Sequence, residues 1–158
     1  MITLEDLPDS PGSYALLLYL PQPVCRQVGR LGTHPFPAGD YIYCGSAAGP
    51  GGLHARVSHH ARIARRPHWH LDWLRPDAVL VGGWFAPLTG PWECAWSQAV
   101  SGLPGAAIPA PGFGAADCGQ GCLAHLVAFP RRLEQENFPR VLEAVTGALA
   151  GRVGWFAA

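Results

Sequence analysis

The chain has 158 residues, enough for one domain whose buried core needs neither disulfides nor a structural metal. Its 11 basic residues, all arginine, are balanced by 11 acidic ones, which excludes recruitment of polyanions by net charge and leaves only a local patch for nucleic acid. Cys25, Cys44, Cys94, Cys118 and Cys122 form no disulfide framework, MITLEDLPDS lacks the character of a signal peptide, and YALLLYL is too short to span a bilayer, so a cytoplasmic setting is expected.

The run GSYALLLYL (12–20), opened by SPG and closed by Pro21, predicts a buried strand. VCRQVG (24–29) predicts a short second strand and DYIYCG (40–45) a third, with the turn-rich RLGTHPFPAG between them; the three are expected to form an antiparallel meander. Alternation puts Tyr14, Leu16 and Leu18 on one face, and Tyr41 and Tyr43 on one face of their own strand. After the turn GSAAGPGG, the spacing in LHARVSHHARIAR (53–65) predicts a helix with Leu53, Val57, His60 and Ala64 in one stripe and Arg56 at its edge. PHWHLDWLRP reads as a short helix or an extended segment, and AVLVGGWFA (78–86) as a core strand.

TGPWECAWSQAV predicts a helix with Pro91 at its first position and Glu93, Trp96, Ser97 and Val100 along one face. The Gly-, Pro- and Ala-rich stretch 101–121 predicts an ordered surface loop, LAHLVAF another strand, and about 133–150 a C-terminal helix interrupted or restarted at Pro139. The expected fold is a single α+β domain over 1–158, a small central antiparallel β-sheet flanked by helices.

In chain order the chemistry-bearing residues on these elements are Tyr14, Tyr43, Arg56, His60 and Glu93. The set formed by GSY (12–14), YCG (43–45), the arginine and histidine of LHARVSHH and the glutamate of WECAWSQA resembles the core of the GIY-YIG nuclease superfamily. HWHLDWLR and GFGAADC followed by Cys122 and HL extend the likeness over about 12–129, toward a branch of small stand-alone proteins also found fused to endonuclease III-like repair enzymes.

That resemblance implies divalent-metal-dependent hydrolysis of DNA phosphodiester bonds, a role in DNA repair, and an endonuclease III-like protein as partner. It implies Glu93 as ligand of Mg²⁺ or another divalent cation such as Mn²⁺, and Arg56 on a non-bridging phosphate oxygen. Tyr14 or Tyr43 would orient or deprotonate the attacking water, and His60 would pass the proton on or hold a tyrosine hydroxyl. A tyrosine base calls for a phenol depressed from its usual pKa near 10, which Arg56 and a metal would supply. Two departures stand out: Ser46 follows YCG where some members carry lysine, and Asn137, the one asparagine, lies near the C-terminus, leaving Asp117 or His125 to replace a late asparagine.

Plainer readings exist for each residue. The tyrosines suit core aromatics, Arg56 a structural ion pair, His60 a hydrogen-bonded core histidine, and Glu93 the third helical position of a capping box if Gly90 is the N-cap. Arg62, Arg65, Arg66 and Arg75 form the basic concentration of the chain, either a track for a nucleic-acid backbone or a solvated face. Cys118, Cys122 and His125 are zinc candidates needing a fourth ligand such as Cys44 or His70, or else a packed turn. His68, His70 and Asp72 would line the site or bind a second ion, or else the segment serves the packing of Trp69 and Trp73. The alternatives to a nuclease are a non-cleaving nucleic-acid-binding module of the same fold and a metal-binding interaction protein.

Overall fold

In the computed structural model, which describes residues 1–147 and 153–158, the architecture is built around one strand with no polar face. β1 (Gly12–Leu20) is buried along its whole length except at Tyr19, which is half-buried. Such a strand is stable only in the interior of a sheet covered on both sides. It therefore pairs antiparallel with β4 (Gly39–Ala47) on one edge and β5 (Val79–Ala86) on the other, and β6 (Leu126–Phe129) and β7 (Gly154–Ala157) complete a five-stranded sheet in the order β6-β4-β1-β5-β7.

Alternation along β1 divides the core in two. Tyr14, Leu16, Leu18 and Leu20 pack with Leu53 and Val57 of α1 (Gly52–Ala61) and Leu71 and Leu74 of α2 (His70–Leu74). Ala15 and Leu17 pack on the opposite face with Trp96 and Val100 of α3 (Trp92–Ser101) and Phe138 and Leu142 of α4 (Phe138–Thr146). The fold is thus α+β, a central antiparallel sheet between helices, as the composition and periodicity predict. Among the described residues no helix is long and apolar enough to cross a membrane.

The connectivity differs from the expected meander. β2 (Val24–Gln27) and β3 (Thr33–Phe36) form a separate hairpin, while β1 pairs directly with β4, Leu16 opposite Tyr43. The reason lies in β2 itself, where Cys25, Arg26 and Gln27 are exposed and Val24 alone is half-buried: it has no apolar face to offer the sheet. β3 and β7 have no counterpart among the expected strands. β7 lies close over β5, and a Cβ on Gly82 would come within 2.6 Å of the Trp155 ring.

α1 stops at Ala61 rather than continuing to 65, because Arg75 caps it. The Arg75 guanidinium, 7% exposed, donates to the carbonyls of His60 at 2.6 Å, Ala61 at 2.9 Å and Ala78. A cation satisfying the last carbonyls of a helix also meets the negative end of its dipole. Arg75 is therefore a structural residue and not part of a nucleic-acid patch, a correction to its sequence assignment. α3 begins at Trp92 with Pro91 as its N-cap, one residue later than expected. The long loop after α3 is only partly on the surface, since Ala110 and Phe113 are fully buried. A 3₁₀ turn (Gln135–Asn137) precedes α4, and Pro139 sits in its first turn; positions 148–150 of the expected C-terminal helix lie outside the described residues.

Leu16 is wholly buried at the centre of the sheet. Leu16→Ala is expected to destabilise the fold by about 2–5 kcal/mol in urea unfolding, whereas truncating the exposed Val79 to Ala on β5 should cost well under about 1 kcal/mol.

Candidate active site

The register of β1 on β4 puts Tyr14 opposite Gly45 and Leu16 opposite Tyr43, so the two phenols are diagonal neighbours on one face with ring centres 6.5 Å apart. The glycine of YCG has a steric reason, because a Cβ at position 45 would overlap the Tyr14 hydroxyl. Gly114 does the same for Tyr43, whose ring a Cβ there would approach to 2.8 Å.

α1 brings His60 into this pair. Its Nε2 lies 3.0 Å from the Tyr14 hydroxyl, and its ring stands edge-on to Tyr43 at 5.6 Å. Burial pushes the His60 imidazole down to about 3, against the opposing pull of Asp72, so the ring is neutral at ordinary pH. A neutral ring that accepts the Tyr14 proton at Nε2 carries its own on Nδ1. That nitrogen lies 4.0 Å from Asp72 Oδ1 and has no hydrogen-bond partner among the described residues. Asp72 is otherwise well satisfied, accepting from the His68 and Trp69 backbone at 2.9 and 3.1 Å and bonding His59 Nε2 at 3.0 Å. Burial works to raise its carboxyl, but these donors outweigh it and hold the acid below its usual range.

Arg56, one turn before His60, has no carboxylate partner among the described residues. Its guanidinium stacks on Trp69 at 4.3 Å and reaches the Ser46 carbonyl at 3.5 Å. The ion-pair reading of Arg56 is thereby removed. Glu93 is the second residue of α3, no side chain caps that helix, and so it does not close a capping box. The half-buried Glu93 makes no hydrogen bond or ion pair among the described residues.

One cleft of about 410 Å³ is lined by Tyr14, Tyr43, Arg56, Trp69, Glu93 and Asp117, with His60 behind Tyr14. The five residues singled out in the sequence therefore gather around a single hollow. Their electrostatics differ from the expected pattern in one respect. Burial raises both phenols above the ordinary value, reinforced by Tyr43 at Tyr14 and by Glu93 at Tyr43, and Arg56 only partly opposes it. In the structure as it stands neither tyrosine has the depressed pKa of a ready phenolate.

Of the remaining candidates, Arg62, Arg65 and Arg66 are exposed just beyond α1, and Arg62 joins Arg56, His59 and Trp69 around an adjoining surface hollow of about 290 Å³. His68, His70 and Asp72 do not converge. His70 Nδ1 accepts the Gly114 N–H at 2.8 Å and pins the loop beside Tyr43, while Asp72 groups with His59 and His60. Asn137 lies in the turn before α4 and bonds Glu134, whereas Asp117 does face the cleft.

The cysteine segment forms a second cluster. Cys118, Cys122 and His125 meet Cys94 of α3, with one donor atom of each within 4.8 Å of all the others, so the structure holds a group able to bind a metal. The fourth member is Cys94, not Cys44 or His70. Cys44 is buried beneath α3 among Trp96 and Val127, its N–H donating to the His125 carbonyl at 2.9 Å, and its thiol is not part of the group. Burial would raise the Cys118 thiol, but backbone N–H groups of Cys122 and Gln120 outweigh it and lower its pKa. Trp69 and Cys94 are not among the site residues the sequence points to, although Cys94 stands directly beside Glu93; Asp72 is among them, but grouped with His68 and His70 rather than as the acid beside His59 and His60.

A family model described as domain of unknown function DUF123 matches residues 13–147, so the chain belongs to that family. Comparison with curated proteins returned no match, and neither did comparison with solved structures.

The neutral, buried His60 makes stability depend on pH. In the unfolded chain the imidazole titrates near 6.5 and in the folded one near 3, so between these values the unfolded state binds more protons. Its contribution is complete above pH 6.5 and is lost as the pH falls toward 3. Between pH 7 and 4.5 this group is expected to remove roughly 2–3 kcal/mol of unfolding free energy. His60→Gln, which keeps an acceptor for Tyr14, should flatten that slope in denaturant titrations by a similar amount.

Proposed function

We propose that this DUF123 member is a divalent-metal-dependent endonuclease that hydrolyses DNA phosphodiester bonds. The observation that carries the reading is the convergence of Tyr14, Tyr43, Arg56 and Glu93, from four different elements, on one cleft with His60 bonded behind it. The resemblance of GSY, YCG and the following arginine, histidine and glutamate to the GIY-YIG nuclease superfamily points the same way, and with it a setting in DNA repair beside an endonuclease III-like protein.

Glu93 fits a hard cation. It faces the cleft without a protein partner among the described residues, and Asp117 supplies a second carboxylate to the same hollow. Mg²⁺ takes one or two carboxylates and completes its shell with water and phosphate oxygens, and Mn²⁺ suits the same oxygen donors. Bound there, such an ion supplies Lewis-acid stabilisation of charge on the scissile phosphate.

The protein's own groups account for the rest. Arg56, oriented by Trp69, offers its guanidinium fork to a non-bridging oxygen. Tyr14 takes the role of base by relay, so a stable phenolate is not required. Its hydroxyl lies 3.0 Å from His60 Nε2, and with the imidazole proton on Nδ1, toward Asp72, it donates there and keeps a lone pair for water. As water gives a proton to the Tyr14 oxygen, the phenol proton passes to Nε2; burial opposes the resulting imidazolium in the free protein, and the Asp72 carboxylate 4.0 Å away together with the phosphate charge of the bound substrate would offset that cost. Tyr43, edge-on to the imidazole, holds that ring in place.

Glu93→Ala is expected to lower Mg²⁺-dependent cleavage by at least about 10²-fold while leaving DNA affinity within a few-fold, measured on nicked, branched, single-stranded and duplex DNA. Arg56→Ala should weaken both binding and cleavage. Binding without cleavage of any of these substrates by the unmutated protein would replace the nuclease with a non-cleaving DNA-binding module.

A further inference from the structure

The hydrolytic reading makes no use of Cys94, Cys118, Cys122 and His125, whose donor atoms nonetheless crowd within 4.8 Å of one another. Tetrahedral zinc, with Zn–S near 2.3 Å and Zn–N near 2.0–2.1 Å, sets two sulfurs about 3.8 Å apart and a sulfur and a nitrogen about 3.6 Å apart. Here the Cys94 and Cys118 sulfurs are 3.4 Å apart, and Cys94 Sγ lies 3.6 Å from His125 Nε2. Three thiols and an imidazole are soft donors that select zinc over the oxygen-seeking cations suited to Glu93.

The surroundings match the donors. Gln98 Nε2 donates to Cys122 Sγ at 3.6 Å. Donors of this kind orient and stabilise metal-bound thiolates. Neither of the other two free cysteines belongs to the group: Cys25 is exposed on β2, and Cys44 is buried beneath α3 against the sheet.

We propose that Cys94, Cys118, Cys122 and His125 bind one structural zinc ion, which staples the 114–125 loop to the start of α3 and so fixes the cleft wall carrying Glu93 and Asp117. With four protein ligands the coordination is closed, so this zinc binds no substrate, and its uptake releases the thiol protons to solvent. The assignment of the wall to an active site rests on the nuclease reading, but the zinc site does not.

The test begins with elemental analysis of the full chain, purified under reducing conditions without a metal-affinity step. One zinc per chain is expected, with an X-ray absorption shell of three sulfurs at about 2.3 Å and one nitrogen at about 2.0–2.1 Å. Cys118→Ser combined with Cys122→Ser should lose the zinc, while Cys25→Ser and Glu93→Ala should each retain it. In unmutated protein, chelation should increase amide exchange at 93–95 and 114–122 and lower the melting temperature, both restored by added Zn²⁺.

Zinc well below stoichiometric after refolding with Zn²⁺, a shell without sulfur, retention by the double variant, or a Cys94–Cys118 disulfide in freshly reduced protein would each overturn the site. Full zinc with unchanged exchange at 93–95 on its removal would overturn the staple. A zinc-replete protein that cuts no DNA counts against the nuclease alone, and a zinc-free protein that cuts counts against the zinc alone.

Discussion

The pairing of β1 with β4 sets the position of every group in the cleft. Side chains alternate faces along a strand, so a slip of one residue between these strands would turn one phenol away from the other. The register is held by burial on both faces of β1, by the fit of the Tyr14 ring over Gly45, and by the packing of α1 across the same face. Once Tyr14 and Tyr43 share a face, the helix that follows β4 delivers Arg56 and His60 within one turn of each other. The turn between β4 and α1 is short and rich in glycine, and Gly51, in the left-handed region, starts the helix close to the end of the strand.

Against this apolar frame the buried polar groups have been placed with particular economy. His60 is desolvated yet contributes one bond to Tyr14, and its other nitrogen is left facing Asp72 without a contact short enough to be a hydrogen bond. An unsatisfied buried group of this kind destabilises a fold by about 1–3 kcal/mol. Functional sites are where such costs are tolerated, because an imidazole already fully paired would have no capacity to change its protonation. Asp72 combines two tasks, closing the start of α2 and holding a negative charge next to His60. Arg75 completes this corner by satisfying the end of α1, which is why one arginine of an apparent basic cluster is consumed by the fold.

The apolar runs made the sheet legible in the sequence, and residues 12–20, 40–45 and 78–86 identify its three inner strands. β2 was placed in the wrong sheet because its alternation is weak and its side chains are polar, so no local signal says which partner it lacks. β7 was missed because four residues carry little periodicity and its position depends on Gly82, far away in the chain. The quintet of Tyr14, Tyr43, Arg56, His60 and Glu93 was legible from type and order, and their gathering in one cleft follows from strand register. What could not be read was environment. Arg62 and Arg75 look alike in sequence, yet one is exposed and the other is sealed among backbone carbonyls. Cys94 likewise looks unrelated to a cysteine pair some 24 residues later until the loop folds back on α3.

The stacking of Arg56 on Trp69 has a consequence for how the cleft responds to its surroundings. A chain without lysine has no ε-amine for acylation to neutralise, and a guanidinium keeps its proton in conditions where a buried ammonium would lose it. The indole face adds attraction for the cation while leaving the fork's edge free for an incoming oxyanion. The positive charge of this hollow is therefore permanent, and enzymes that modify lysine have no means of switching it off.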